Sequence, residues 1–231
     1  MSLVTYYLNG VDLSALGIFV SKSVGMLNRP ALKEQTQVDW LDRHGVVWGH
    51  RKRRFQPREF RLDCFMKVQD KEKLVINLTR LYDLFSPKGL SQLRVELGDG
   101  VPPLVYMVAL IDEVEVNKTW SSAEMVVTFE LRLVEPEPVK RLLTFRKSDG
   151  RCSISFESVQ PVTVYWGDGE VSYDVMTNGM AMEDRTYDGS LVKVGHEYRG
   201  DGEPQAFIVV TGDIEEMRSF STNAKVLWPR Y

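Results

Sequence analysis

The stretch from Trp40 to Met66, WLDRHGVVWGHRKRRFQPREFRLDCFM, decides the fold of the first part of this chain. A basic loop leads into a segment in which apolar and more polar residues alternate, with the apolar positions at Phe60, Leu62, Cys64 and Met66. A spacing of two is the period of a half-buried β-strand. The sequence therefore predicts an exposed, charged lead-in followed by a core strand, which is typical of a surface that docks onto a partner.

The flanking sequence predicts further β-structure and a single helix. Asn9-Gly10 predicts a tight hairpin turn, and residues 25–40 predict a long arm that contains a short strand at 35–40. Asp70 is a candidate N-cap, and the apolar spacing after it predicts an amphipathic helix over 71–85. Alternation predicts strands at 59–68, 90–97, 104–116 and 124–134.

The segment Glu135-Pro136-Glu137-Pro138 marks the predicted domain boundary, because two prolines and two charges favour an extended linker. Short strands are predicted after it at 142–146, 151–156, 162–166, 170–175, 191–194 and 206–211. The predicted fold class is mainly β. We expect residues 1–138 to form an antiparallel β-sandwich or barrel-like domain with one amphipathic helix, and residues 139–231 to form a small immunoglobulin-like β-sandwich.

Composition excludes several classes of protein. The 231 residues carry a net charge of −3, divided as +1 over residues 1–140 and −4 over 141–231, which is not basic enough to predict a specific nucleic-acid ligand. No apolar run is long enough to cross a membrane and no signal peptide precedes the first strand, so we expect synthesis in a cytoplasm without membrane insertion. Cys64 and Cys152 are the two cysteines, and we expect both to be buried and unpaired.

Residues 1 to about 138 resemble the N-terminal domain of phage distal tail proteins. The order of elements carries the resemblance, at residues 8–13 with Gly17-Ile18, 42–45, 58–66, 71–85 and 129–136. Proteins of that family assemble as rings, usually hexamers, at the end of the tail tube, and join the tube to baseplate or tip proteins. The resemblance implies a structural adaptor in a virion tail, assembled in the cytoplasm of the bacterial host, with no cofactor and no catalytic site.

The second domain resembles a PKD-type immunoglobulin-like module. The resemblance rests on the segments 162–169 (VTVYWGDG), 196–198 (HEY) and 207–212 (FIVVTG), while the tail beyond Asp213 continues past the point where the sandwich should close. Such modules are spacers or bind carbohydrate or protein, which makes Tyr165, Trp166, Asp168 and Tyr173 candidate ligand contacts. The alternatives are that Asp168 serves the hairpin turn between two glycines and that Trp166 is a core side chain.

The cationic cluster at Arg51, Lys52, Arg53, Arg54 and Arg58 is the strongest candidate site in the first domain. It fits a contact with an acidic surface of a neighbouring subunit, because arginine binds carboxylates in a bidentate manner. A solvated loop and a phosphate contact are the alternatives. Under the first interpretation, reversing Arg53 and Arg54 should impair assembly and leave the melting temperature of the monomer nearly unchanged.

The three histidines show no metal-ligand spacing, and no nucleophile elbow is present. Two hypotheses from different classes follow. The first is a non-enzymatic phage or prophage tail protein that forms a ring through its first domain, binding its own copies and the tube and tip proteins. The second is a binding protein whose C-terminal sandwich recognises a glycan or protein on a cell surface. A paired-carboxylate hydrolase is a third hypothesis without a supporting motif.

Overall fold

The computed structural model describes residues 4–34, 37–39, 41–42, 44–48, 53–85, 89–120, 125–177, 185–188, 191–198 and 203–230. One α-helix, α1, spans Lys71–Phe85, and 3-10 helices span Leu13–Leu16 and Lys147–Asp149. The strands are β1 (Thr5–Leu8), β2 (Val11–Asp12), β3 (Ile18–Val24), β4 (Gln37–Asp39), β5 (Val46–Trp48), β6 (Arg58–Val68), β7 (Ser91–Glu96), β8 (Leu104–Leu110), β9 (Val116–Trp120), β10 (Met125–Glu135), β11 (Lys140–Arg146), β12 (Arg151–Glu157), β13 (Val162–Tyr165), β14 (Val171–Val175), β15 (Arg185–Asp188), β16 (Leu191–Glu197), β17 (Gln205–Gly212), β18 (Arg218–Thr222) and β19 (Lys225–Trp228).

The first domain is built on one antiparallel sheet in the order β2-β1-β7-β8-β10-β6-β3, with β9 paired to the far end of β10. Strands β8 and β10 pair at Leu110–Leu133 and Ala109–Val134. Both halves of the sheet, on either side of this short junction, contribute side chains to a single hydrophobic core. The sheet ends at β2 and β3 and does not close into a barrel, so the mainly β prediction is confirmed in its sandwich form.

Strands β6 and β10 form the longest ladder, with each of the eleven residues of β6 paired to one of β10. Phe60, Leu62, Cys64 and Met66 all point inward and are at most 4% exposed. The alternating strand predicted at 59–68 is thus confirmed, and it extends one residue further, to Arg58. Both cysteines are buried and unpaired, and burial raises the pKa of Cys64 to about 12.

Helix α1 agrees with its sequence prediction. The Asp70 carboxylate accepts a hydrogen bond from the backbone N–H of Glu72 at 3.2 Å, as an N-cap does. Leu74 and Leu81 are buried against the sheet. The helix is 15 residues long, and within the described ranges no helix is both long and apolar enough to span a membrane.

The second domain consists of two antiparallel sheets that share a core, in the orders β14-β13-β17-β11-β19 and β15-β16-β12-β18. Strands β15, β18 and β19 were not predicted from the sequence. The tail beyond Asp213 belongs to the sandwich, because β18 pairs with β12 in one sheet and β19 pairs with β11 in the other. The tail therefore crosses from sheet to sheet and packs on its own domain.

Two predicted boundaries in the first domain are wrong. The strand predicted at 104–116 ends at Leu110, and β9 begins at Val116. Residues 111–115 leave the sheet because they are largely exposed and carry three carboxylates, at Asp112, Glu113 and Glu115. The linker predicted at 135–138 begins inside β10, because Glu135 is the last residue of that strand and is 1% exposed.

The two domains pack directly on each other. Strand β8 is buried on both faces: Tyr106 and Val108 enter the first core, while Val105 and Met107 point to the second domain. These outward side chains join Leu142, Tyr165, Phe207 and Val209 in a separate apolar cluster between the domains. The second domain is therefore fixed to the outer face of β8 and does not hang from a free linker.

Candidate assembly surface and interdomain groove

The cationic cluster of the sequence is divided by the fold into residues with different surroundings. Arg51 and Lys52 lie outside the described residues. Arg53 is exposed, Arg54 contacts the second domain, and Arg58 is buried at 8% exposure. The proposed contact with a neighbouring subunit remains a prediction, and among the described members of the cluster Arg53 is the cation best placed to make it.

Arg54 links the basic loop to the second domain of its own chain. Its Nη2 donates a hydrogen bond to Asp213 Oδ2 at 2.6 Å, with the arginine side chain 49% exposed and the aspartate side chain 6% exposed. That hydrogen bond raises the pKa of Arg54 above its ordinary value. A small cavity of about 220 Å³ surrounds the pair and is also lined by Lys33, Phe55 and Glu137. One cation of the predicted intersubunit cluster therefore has an intramolecular partner.

Arg58, Glu135 and Lys140 form a buried cluster of three charges where β10 ends and β11 begins. The Nε of Arg58 lies 3.6 Å from Glu135 Oε2, and the Nζ of Lys140 donates to Glu135 Oε1. Lys140 Nζ also lies 4.1 Å above the ring of Tyr106. Burial raises the pKa of Glu135 and lowers the pKa of Lys140 to about 8. The cluster ties the second domain to the end of the β6/β10 ladder.

Strands β4 and β5 form a two-stranded ribbon that pairs with no other strand in the described part of the chain. Its base is closed by a bridge between Leu32 and Phe55. Backbone hydrogen bonds reinforce this bridge, from the Lys33 N–H to the Arg54 carbonyl at 2.8 Å and from the Gln56 N–H to the Ala31 carbonyl at 2.7 Å. The arm predicted at 25–40 therefore includes the first strand of a hairpin, and the basic loop follows the second.

The four candidate ligand contacts of the second domain differ in exposure. Trp166 is 1% exposed, and its Nε1 donates to Ser172 Oγ at 3.0 Å, which places its indole ring in the core. Tyr165 is 7% exposed and Tyr173 is 53% exposed. Burial raises the pKa of Tyr165 to about 12. Tyr173 is thus the most accessible of the three aromatic rings.

Asp168 has a role in the turn and a histidine partner. Its Oδ1 accepts from the backbone N–H of Glu170 at 3.2 Å, and its Oδ2 lies 2.6 Å from His196 Nε2. The His196 ring stacks on Trp166 with centroids 5.2 Å apart. The hydroxyl of Tyr198 donates to the Trp166 carbonyl at 2.7 Å. These contacts join the turn to the His-x-Tyr motif at residues 196–198, where β16 ends.

A groove of about 540 Å³ lies between the Asn9-Gly10 hairpin of the first domain and the Gly167–Gly169 hairpin of the second. Tyr165 and Asp168 line it. Its other lining residues include Val11, Leu90, Gln92, Met107, Lys147, Glu170, Val171 and Glu203. A volume of several hundred Å³ with mixed apolar and polar lining is typical of small-ligand sites.

Arg94 fixes the two domains beside this groove. Its guanidinium lies between the rings of Tyr7 and Phe207, 4.1 and 4.7 Å from their centroids. Two of its nitrogens donate to the Glu203 carboxylate at 2.8 and 2.6 Å. Sequence reasoning missed Arg94 because, on a predicted strand, a single arginine is the expected occupant of a solvated face.

The described residues contain no group of three or more His, Cys, Asp or Glu side chains that could hold a metal ion.

No protein-family model and no curated protein matches this sequence. Eight chains of solved structures match this chain, and two of them come from phages. The Dit protein of phage SPP1, described as a paradigm of the hub adsorption apparatus in phages that infect Gram-positive bacteria, is 11% identical, with 91% of this chain and 99% of that chain covered and a TM-score of 0.43. A chain of the phage p2 baseplate, in its activated conformation with Sr, is 8% identical, with the same coverage and a TM-score of 0.46.

Proposed function

We propose that this chain is a structural component of a phage or prophage tail, a distal tail or baseplate hub adaptor that forms a ring through its first domain. The order of elements in residues 1–138, which resembles that of distal tail proteins, supports the proposal. The partners are further copies of the chain, in a hexamer if the resemblance extends to ring size, and the tube and tip proteins on either side. The protein is a non-enzymatic part of the virion tail and is assembled in the host cytoplasm.

The isolated β4–β5 ribbon is the structural observation that most strongly favours an assembly role. A two-stranded ribbon in water is marginally stable by itself, and within the described residues this one pairs with no sheet of its own subunit. A second surface that covers the ribbon would stabilise it. In a closed ring, each subunit presents one patch to the preceding copy and a different patch to the next, so a ribbon on one side of each subunit suits that geometry.

The packing between the domains suits an adaptor that holds its second domain in a fixed orientation. Arg94 and Arg54 bind Glu203 and Asp213 across the interface, and the apolar cluster around β8 also joins the two domains. Such an interface resists rotation of one domain against the other. A ring built from the first domain would therefore hold the second domain in a defined orientation toward the next tail protein.

Removal of the ribbon tests the proposal. A variant in which residues 35–52 are replaced by a short Gly-Ser linker keeps the Leu32–Phe55 bridge that closes the base. We expect the wild-type chain to form a closed ring in negative-stain electron microscopy and native mass spectrometry, and the deletion variant to remain a folded monomer. Circular dichroism and thermal unfolding verify that the deletion leaves the core intact.

A matched control replaces residues 178–184, between β14 and β15 in the sequence, with the same linker. This change lies in the second domain and should leave ring formation unchanged. The proposal is wrong if the wild-type chain stays monomeric at high concentration and in the presence of its tube and tip partners. It is also wrong if the ribbon deletion assembles as well as the wild type does.

A second candidate function is recognition of a cell-surface glycan or protein through the C-terminal sandwich. The interdomain groove favours it, because Tyr165 and Asp168 line a cleft of about 540 Å³ together with Lys147. Carbohydrate sites combine an apolar ring with hydrogen-bonding side chains. A glycan array probed with the full chain tests it. Specific binding that is lost in Lys147→Ala and kept in the control Lys225→Ala would support this function. An array on which no glycan binds the chain would count against it.

A further inference from the structure

An acidic groove of about 930 Å³ lies on the outer face of β6 and β10. Five carboxylates and one guanidinium line it, from Asp63, Asp112, Glu113, Glu115, Glu130 and Arg132. The proposed function does not use this surface. In the sequence, the charged residues of the groove are spread over about seventy positions, from Asp63 to Arg132. The fold brings them together because residues 111–115 leave the sheet and lie over the outer side chains of the two strands.

Part of this acidic charge is balanced within the subunit. Arg132 binds Asp112 at 2.5 Å and approaches Glu130 at 3.8 Å. Arg61 lies 3.1 Å from Asp63 and 3.5 Å from Glu130. Glu113 and Glu115 are exposed and form no ion pair with the described residues. The rim of the groove therefore carries two carboxylates that are available to a cationic partner.

The groove also has an apolar contact surface beside its acidic rim. Phe65 lines the groove and stacks on Phe19 with ring centroids 5.4 Å apart. Phe19 is 38% exposed. An apolar floor next to unbalanced charge is the usual composition of a protein contact, in which apolar burial supplies affinity and charge supplies register.

The base of the β4–β5 ribbon has the complementary composition. Arg29, Lys33 and Arg53 are exposed there, and the guanidinium of Arg29 lies 5.4 Å from the ring of Phe55. These residues belong to the same domain as the groove but to different segments. A heterologous contact in a ring requires two unlike patches on one subunit, and this domain carries one of each sign.

We infer that the acidic groove on β6 and β10 is the receptor for the basic ribbon base of the neighbouring copy of this chain. This inference rests on the proposed ring and names the surfaces that close it. Glu113 and Glu115 bind Lys33 and Arg53 of the next subunit, and the Phe19–Phe65 pair receives apolar groups of the ribbon base. Because the contact is electrostatic and partly exposed, rising ionic strength weakens it.

Charge reversal in full-length protein tests the pairing. The groove variant is Glu113→Lys with Glu115→Lys, and the ribbon variant is Lys33→Glu with Arg53→Glu. We expect each to weaken assembly by about tenfold or more in sedimentation velocity experiments, as inverted close charge pairs do. The combined four-site variant should recover assembly. The control, Asp149→Lys with Glu197→Lys, reverses two exposed charges of the second domain and should leave assembly unchanged.

A cysteine pair gives a second, direct readout. In Arg53→Cys with Glu113→Cys, mild oxidation should produce a ladder of covalently linked copies, while either single variant produces none. A disulfide formed within one copy, which leaves the oxidised protein at the mass of a single chain, would overturn the inference.

The outcomes separate this inference from the proposed function. If the wild type forms rings that neither reversal weakens, or if the four-site variant does not recover assembly, the inference is wrong and the proposed ring is unaffected. If the wild type forms no ring with or without its tail partners, the proposed function is wrong and the inference falls with it.

Discussion

Arg58 and Glu135 are direct cross-strand partners at the end of the β6/β10 ladder, and their side chains continue the inward face that Phe60 begins. The four inward pairs before them on this face are apolar in both strands, from Phe60–Leu133 to Met66–Val127. A buried charge is tolerated when opposite charge and hydrogen bonds accompany it. Here Lys140 is the second cation that contacts Glu135, and its ammonium group also lies over the aromatic ring of Tyr106.

The geometry of this cluster predicts an unequal cost for removing its members. Glu135→Gln leaves two buried cations without their shared anion and should lower the free energy of unfolding by about 3–5 kcal/mol. Lys140→Met keeps the Arg58–Glu135 contact and fills a similar volume, so it should cost distinctly less. Urea unfolding of the wild type and the two variants measures which substitution lowers the free energy of unfolding more. Equal losses would mean that Glu135 is not the centre of the cluster.

A lysine in another environment provides the control. Lys225 is exposed on β19, so Lys225→Met should change the free energy of unfolding by no more than about 0.5 kcal/mol.

The pKa of Lys140 predicts how stability responds to pH. Burial lowers this pKa from 10.5 to about 8, so between these values the unfolded chain holds a proton that the folded chain has released. Stability rises with pH wherever the unfolded state binds more protons. From pH 8 to 10.5, the free energy of unfolding of the wild type should therefore rise relative to that of Lys140→Met. Cys64 acts in the opposite direction but is present in both proteins and cancels.

A constant difference between the two proteins across that pH range would contradict the lowered pKa. Chemical unfolding at matched ionic strength is the suitable measurement.

The elements with strong periodicity could be predicted from the sequence, and the contacts between elements could not. The β6 alternation and the α1 pattern each follow from local spacing. The Asn9-Gly10 turn between β1 and β2 was also predictable, because Asn and Gly adopt the positive φ angles that such a turn requires, here 49° and 82°. Strand β18 escaped prediction because Arg218–Thr222 has a single apolar residue, Phe220. Its stability comes from pairing with β12, which is distant in sequence.

The charged residues that join the domains were hidden for a related reason. Glu135 in a Pro-rich segment and Arg94 on a strand have the local signature of solvated positions. Their burial depends on Arg58 and Glu203, which the sequence places far away. One signal was present. The run Leu104–Leu110 is apolar without alternation, which is typical of a strand buried on both faces, and β8 is indeed the strand on which the second domain packs.

The Arg54–Asp213 contact changes the expectation for the basic loop. Reversing Arg53 alone should leave the free energy of unfolding within about 0.5 kcal/mol of the wild type, because this side chain is exposed. Arg54→Glu instead places a carboxylate against the nearly buried Asp213 and should destabilise the interdomain contact. A double-mutant cycle of Arg54→Ala and Asp213→Asn should give a coupling of about 1 kcal/mol that shrinks with added salt.

Zero coupling in that cycle would contradict the interdomain contact, whereas a loss of stability in Arg53→Glu would mean that Arg53 also has a partner within the chain.

Two glycines of one turn provide the last prediction. Gly167 and Gly169 flank Asp168 and have positive φ angles of 87° and 100°, so an alanine at either position is strained by roughly 1–3 kcal/mol. They differ in surroundings. A Cβ at Gly167 would lie 2.5 Å from the backbone oxygen of Phe207, while a Cβ at Gly169 meets no atom within 4 Å.

Gly167→Ala should therefore be the more destabilising substitution, because Phe207 belongs to the central strand β17 and its backbone cannot shift without disturbing the cluster against β8. Gly169→Ala isolates the cost of the backbone conformation. Thermal unfolding of both variants gives the difference, which measures the close approach of the turn to β17. If the two variants unfold at the same temperature, the turn does not press on β17, and the wall of the interdomain groove at Gly167 is more adaptable than its geometry indicates.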